Sequence, residues 1–112
     1  VEQTIASFDV ISDAIVDWAR ERKIFRHSDS QTQLLKTMSE LGELADALIK
    51  NDRARIIDGY GDVLVTLIIG SRLADVDLVT ALHAAYREIK DRKGTTNANG
   101  VFIKNEIEDD EL

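Results

Sequence analysis

No proline occurs anywhere in the 112 residues of this chain. Ordinary usage is about 5%, and a loop-rich β protein of this length would place several at its turns. Proline breaks helix interiors, so its absence suits long helices joined by short connections. The length fits one compact domain around one core. The chain also has no Cys, which excludes a disulfide framework, a thiol nucleophile and a thiolate zinc site. No apolar run approaches the roughly 20 residues needed to span a bilayer, and no signal-peptide pattern opens the chain. These features describe a small soluble cytoplasmic domain.

Hydrophobic periodicity agrees with helices. From about Thr4 to Arg22, Ile5, Phe8, Ile11, Ile15, Trp18 and Ala19 recur at three- and four-residue steps, the stripe of an amphipathic helix. Ser28, Asp29 and Ser30 are successive N-cap candidates,. A second helix follows over about 30–50, with Leu34, Met38, Leu41, Ala45 and Leu48 on one stripe. Asn51-Asp52 reads as a turn and a new cap. The third helix, about 53–73, contains the run Val63 to Ile69, apolar on every side. That run is also compatible with a buried strand, but its amphipathic helical surroundings favour helix. A helix apolar all round in so small a chain implies a partner subunit. Asp75 or Asp77 then caps a fourth helix, about 76–92, with Leu78, Leu82, Ala85, Tyr86 and Ile89 inward and Gly94 as its stop. Residues 94–100 form a polar, turn-rich loop, Val101-Phe102-Ile103 an apolar tether, and 106–112 an acidic tail expected to be disordered. The expected fold class is all-α: a bundle of four to five helices in one domain over 1–105, completed by oligomerisation, with a short extended C-terminal segment.

Two acid pairs carry the chemistry. On the second helix Gln33, Lys36, Glu40, Glu43 and Ala47 fall within about 80° of one another, opposite the leucine stripe. Glu40 and Glu43 are three apart; on the third helix Asp58 and Asp62 are four apart, so each pair shares a face. Asp62 leads straight into the most apolar run of the chain, where an ionised carboxylate is costly without compensation. Four acids from neighbouring helices would repel one another unless a cation joined them. Hard oxygen ligands without Cys suit Mg²⁺, or Mn²⁺ as a substitute. Solvated helix faces would explain either pair taken singly.

Ser39-Glu40-Leu41-Gly42-Glu43-Leu44-Ala45, followed by Asp58-Gly59-Tyr60-Gly61-Asp62-Val63-Leu64-Val65, resembles the MazG-like nucleoside triphosphate pyrophosphohydrolases of the all-α NTP pyrophosphatase superfamily. That family's signature is a Glu-Glu-x-x-Glu helix followed by a Glu-x-x-Asp helix. Trp18 to Arg22, Gln33 to Lys36, Ile89 to Gly94 and Gly100 to Lys104 are likewise similar to small, phage-type members, and together the matches cover about residues 11–106. The chain departs from the signature twice. Ser39 replaces the first Glu, and Gly59 stands where the second-half Glu would fall, with Asp58 the proposed substitute. The resemblance implies Mg²⁺-dependent hydrolysis of a (deoxy)nucleoside triphosphate, dGTP among the candidates, to monophosphate and pyrophosphate. It also implies a role in nucleotide pool control, in the host cytoplasm if the gene is a phage's. Glu40, Glu43 and Asp62 would be catalytic, and Glu40, Glu43, Asp58 and Asp62 would hold metal.

The net charge of -7 argues against a nucleic-acid partner, yet five acids lie in the tail beyond Asn105 and four are the proposed ligands. The remaining body carries a small positive surplus. Lys36, Lys93 and Lys104 are the candidates for substrate phosphate. Gln33, Arg92, Asn97 and Trp18 are further candidates for substrate contact, although core packing accounts for Trp18 and turn chemistry for Asn97. His27 and His83 have no partner at metal spacing. The expected assembly is a homodimer or a dimer of dimers through the third and fourth helices. A non-catalytic helical oligomerisation module with solvated acidic faces is the alternative.

Overall fold

The structure, a computed structural model, describes residues 6–105. Five helices are present among these: α1 (Phe8–Glu21), α2 (Ile24–His27), α3 (Ser30–Ile49), α4 (Arg53–Leu73) and α5 (Leu78–Ile89). A two-stranded ribbon, β1 (Gly94–Thr96) and β2 (Phe102–Lys104), follows them. The all-α expectation holds. Ile5 and residues 106–112, with the expected tail, lie outside the described residues.

Side-chain caps set the helix starts. Ser7 accepts from the Val10 N–H at 3.2 Å and opens α1. Asp29 opens α3 by accepting from the Thr32 N–H at 2.7 Å. The Thr32 amide and hydroxyl both favour its charged form and hold its carboxyl below the usual range,. Asn51, at φ 52, turns the chain after α3; Asn takes this left-handed conformation readily,. Asp52 then caps α4 through the Arg55 N–H at 3.3 Å. Helix α4 has the expected bounds, and Val63 to Ile69 is helical throughout. The single turn α2, entered through Lys23 at φ 64, carries no periodic signal in sequence.

Compactness divides the chain after Val79. In the first unit α3 and α4 form the principal pair, with α1 against α4. The pair is antiparallel, since Gln33 lies beside Gly70, Thr37 beside Thr66 and Leu44 beside Gly59. Its core is Leu44, Ala47 and Ile56 with Val63 packed against them. Val16 and Ala19 of α1 and Ile68 and Ile69 of α4 are also buried. Arg72 of α4 reaches Asp13 of α1 at 3.2 Å.

The face that α3 buries differs from the sequence expectation. Thr37, Glu40, Leu44 and Ala47 are buried, while Leu34, Met38, Leu41, Ala45 and Leu48 are exposed. Close helix contact is made where one side is small, here Gly59 against Leu44 and Thr37 beside Thr66, and the bulky stripe is left outside,. Helix α4 is not buried all round, for Tyr60, Leu64 and Leu67 are exposed. Trp18 is 45% exposed, with the Arg22 guanidinium 4.7 Å over its ring, so it is not a core residue.

The second unit contains most of α5 and the ribbon. Leu82, Ala85, Tyr86 and Ile89, expected inward, are exposed. Residues 94–104 form an antiparallel ribbon instead of a loop and tether, pairing Gly94 with Lys104 and Thr96 with Phe102. The Asn97 side-chain oxygen accepts from the N–H groups of Asn99 at 2.9 Å and Val101 at 3.0 Å, and so closes the turn. Among the described residues no helix is long and apolar enough to cross a membrane.

Candidate functional site

The antiparallel pairing of α3 and α4 brings Glu43 to Asp58 and Asp62 on one side of the first unit. Glu43 of α3 and Asp58 and Asp62 of α4 line a single small pocket of about 80 Å³, with Gly59 and Arg55 completing its wall. Gly59 makes this possible. A Cβ there would lie 3.0 Å from Leu44 Cδ1 and 3.3 Å from Leu44 Cα, so the helices cross where no side chain fits. The family's acid at this position would collide with Leu44. Asp58, one residue earlier, has room at the pocket edge.

Glu43, Asp58 and Asp62 are exposed, and none makes an ion pair or hydrogen bond among the described residues. Some other acids are paired, such as Asp46 with Lys50 at 3.2 Å and Asp17 with Arg20 at 3.2 Å. Glu40 differs from its neighbour Glu43. It is buried, 8% exposed, and its carboxylate meets Lys36 Nζ at 3.4 Å. It does not line the pocket. Among the described residues no three acids or imidazoles stand close enough to enclose a metal ion. The donor chemistry nonetheless fits a hard cation. Three carboxylates line one pocket, and no partner among the described residues pins them.

A family model for the MazG nucleotide pyrophosphohydrolase domain matches residues 28–96, more than half of the chain and all of α3 and α4. The chain belongs to the MazG family. A curated relative, the uncharacterized 18.2 kDa protein in the rep-hol intergenic region of Haemophilus phage HP1, is 35% identical over 65 residues. The match takes in 58% of this chain but 40% of that relative, so this MazG chain spans well under two thirds of the relative's length. Among solved structures, the cyanophage S-2L MazG-like pyrophosphohydrolase bound to dGDP and three catalytic Mn²⁺ ions per active site superposes with a TM-score of 0.67. Identity is 22%, and the match covers 89% of this chain and 98% of that one. At that identity the likeness is one of fold.

The other residues singled out from the MazG sequence lie elsewhere. Gln33 donates from Nε2 to Ser28 Oγ at 3.1 Å and packs beside Gly70. Lys93 and Lys104 sit together at the open end of the ribbon, where the Asn105 N–H donates to the Lys93 carbonyl at 2.9 Å. Arg92 pairs with Glu88 at 3.4 Å on the α5 side of the same unit. Asn97 has its side-chain oxygen committed to the turn. His27 and His83 are exposed.

Arg55 is a pocket residue that the sequence reading passed over. It lies 3.9 Å from Asp46 Oδ2 while lining the acidic pocket. Its signal was present in the spacing: positions 55, 58 and 62 fall on one helical face.

Proposed function

We propose that this chain hydrolyses (deoxy)nucleoside triphosphates to the monophosphate and pyrophosphate with Mg²⁺ or Mn²⁺. The observation that carries the reading is the pocket where Glu43, Asp58 and Asp62, all uncompensated, meet from two helices. An acidic pocket repels a polyanion unless a cation reverses the local field. Glu43, Asp58 and Asp62 would hold that cation, with Glu40 behind them. When bound, a divalent ion supplies charge neutralisation at phosphate oxygens and a more acidic water.

The protein's share is placement. Helices α3 and α4, locked at the Leu44–Gly59 crossing, fix the backbone from which the carboxylates project. Arg55 has a guanidinium at the pocket wall for a non-reacting phosphate, and Lys36, on the carboxylate face, adds a second positive charge. Lys93 and Lys104, at the open end of the ribbon, are the remaining candidates for phosphate oxygens. Water attacks the α-phosphorus, the bond to the bridging oxygen of the β-phosphate breaks, and pyrophosphate departs; the water's proton passes to a carboxylate of the set Glu40, Glu43 and Asp62. Control of nucleotide pools is the role this chemistry would serve.

Assembly as a homodimer or dimer of dimers belongs to the same reading. It is supported by the apolar side chains that α3 and α4 leave exposed, since contiguous patches of this kind mark interaction surfaces. The deciding assay incubates the protein with each dNTP and NTP in Mg²⁺ or Mn²⁺ and resolves the products. Monophosphate with pyrophosphate is expected. Absence of turnover with every nucleotide in both metals would overturn the reading in favour of a non-catalytic module.

A further inference from the structure

The acidic pocket between α3 and α4 contains one charge of the opposite sign. Arg55 lines it together with Glu43, Asp58, Gly59 and Asp62. Little holds the guanidinium elsewhere: Nη2 lies 3.9 Å from Asp46 Oδ2, beyond hydrogen-bond length, and Asp46 already has Lys50 at 3.2 Å. One turn along α4, where an acid would pair with Arg55 at i,i+4 spacing, stands Gly59, with Leu44 filling the space a side chain would need. On α3, Ser39 stands where the family signature has an acid. Glu40 is balanced by Lys36 at 3.4 Å and does not line the pocket. The pocket is left with three carboxylates against one guanidinium, two negative charges net.

We propose that this site keeps a single resident divalent cation, and that Arg55 supplies the positive charge a second ion would bring to the phosphates. The proposal rests on the pyrophosphohydrolase reading above. One divalent ion cancels the two net charges. A second would leave the pocket positive by two, with no further acid to offset it. Paired metal ions stand about 3.5–4 Å apart, where their mutual repulsion needs a surplus of carboxylates. A guanidinium works against such a pair, because it has no acceptor atom to offer a metal and stays protonated. Towards phosphate the same group is favourable, since its planar fork grips two oxygens at once. Its charge is also built into the chain, and so is present whatever the free metal concentration.

Electron paramagnetic resonance counts bound Mn²⁺ directly. Titrated without nucleotide, the full chain should saturate at one ion, with the spectrum of an isolated ion and no spin-coupled pair. Arg55→Gln removes the opposing charge and should tighten Mn²⁺ by on the order of tenfold. The same variant should bind an α,β-imido deoxynucleoside triphosphate about tenfold or more weakly in calorimetry at saturating Mg²⁺, through loss of a charged hydrogen bond. These opposite signs separate the proposed role from a structural one, since a distorted pocket weakens both ligands. Arg55→Lys keeps the charge and should restore wild-type Mn²⁺ affinity. Arg53→Gln, in the same turn but outside the pocket lining, should change neither measurement. Two resident ions in the wild type would overturn the proposal and leave the hydrolytic reading standing. So would Mn²⁺ affinity unchanged or weakened in Arg55→Gln, or nucleotide binding unaffected by it. Turnover is scored separately: a wild type that holds one ion but releases no pyrophosphate overturns the catalytic reading alone.

Discussion

Glu40 and Glu43 are three residues apart on one helix, yet their surroundings differ sharply. Glu40 is buried with Lys36 at its carboxylate, while Glu43 is exposed at a pocket it shares with two unpaired aspartates. A carboxylate without a protein partner serves the ligand more than the fold. Glu43→Gln should therefore lower pyrophosphate release by on the order of 100-fold or more and leave the helical circular dichroism and thermal midpoint unchanged. Gly59 makes the opposite case. Its absent side chain is what lets Leu44 approach, and Leu44 Cα cannot rotate away as its Cδ1 could. Gly59→Ala gains up to about 1 kcal/mol of helix propensity but overpacks the crossing by about 1–3 kcal/mol. A lower melting temperature is expected, readable by calorimetry. At this scale the acids were legible in the sequence, because paired carboxylates ahead of an apolar run are unusual. The meaning of Gly59 was not, since a gap in a motif does not reveal what occupies the space.

Helix α3 shows how much an element's pattern conveys. Its start, its end and its acid spacing follow from capping residues and periodicity. Its packed face does not. Two stripes compete on it, one bulky and apolar, the other mixing Thr37, Glu40, Leu44 and Ala47. Periodicity favours the first, whereas close approach to α4 requires the second. A buried hydroxyl pair reinforces that choice: Thr37 Oγ1 lies 2.8 Å from Thr66 Oγ1, which itself donates to the Val63 carbonyl at 2.8 Å. Thr37→Val should cost about 1 kcal/mol, read as a lower urea midpoint with an unchanged slope. The double Thr37→Val, Thr66→Val variant should lose less than the two single changes together, because partners in one hydrogen-bonded pair are not additive. The ribbon was illegible for a simpler reason. Three-residue strands are too short for an alternating pattern, and their pairing depends on the Asn97 turn.

For the whole molecule, the principal feature is the amount of apolar surface left outside. Leu34, Leu35, Met38, Leu41, Leu48 and Ile49 are all exposed on α3. A groove of about 350 Å³ beside Leu34 and Leu67 extends the patch onto α4. Met38, at 60% exposure, is centrally placed on the stripe and makes no core contact whose loss would unfold the chain. Met38→Glu should abolish the proposed self-association, read as monomer in light scattering, and leave the monomer's helicity intact. The absence of proline made a helical chain legible, although the apolar side that α3 leaves exposed was not. Because α3 presents carboxylates on one side and this stripe on the other, the proposed catalysis and the proposed association would share a single rod. Dilution would then be a variable of activity. Specific activity should fall as protein is lowered through the dissociation range and recover on reconcentration, and a constant value across that range would show that the two sides of the rod work independently.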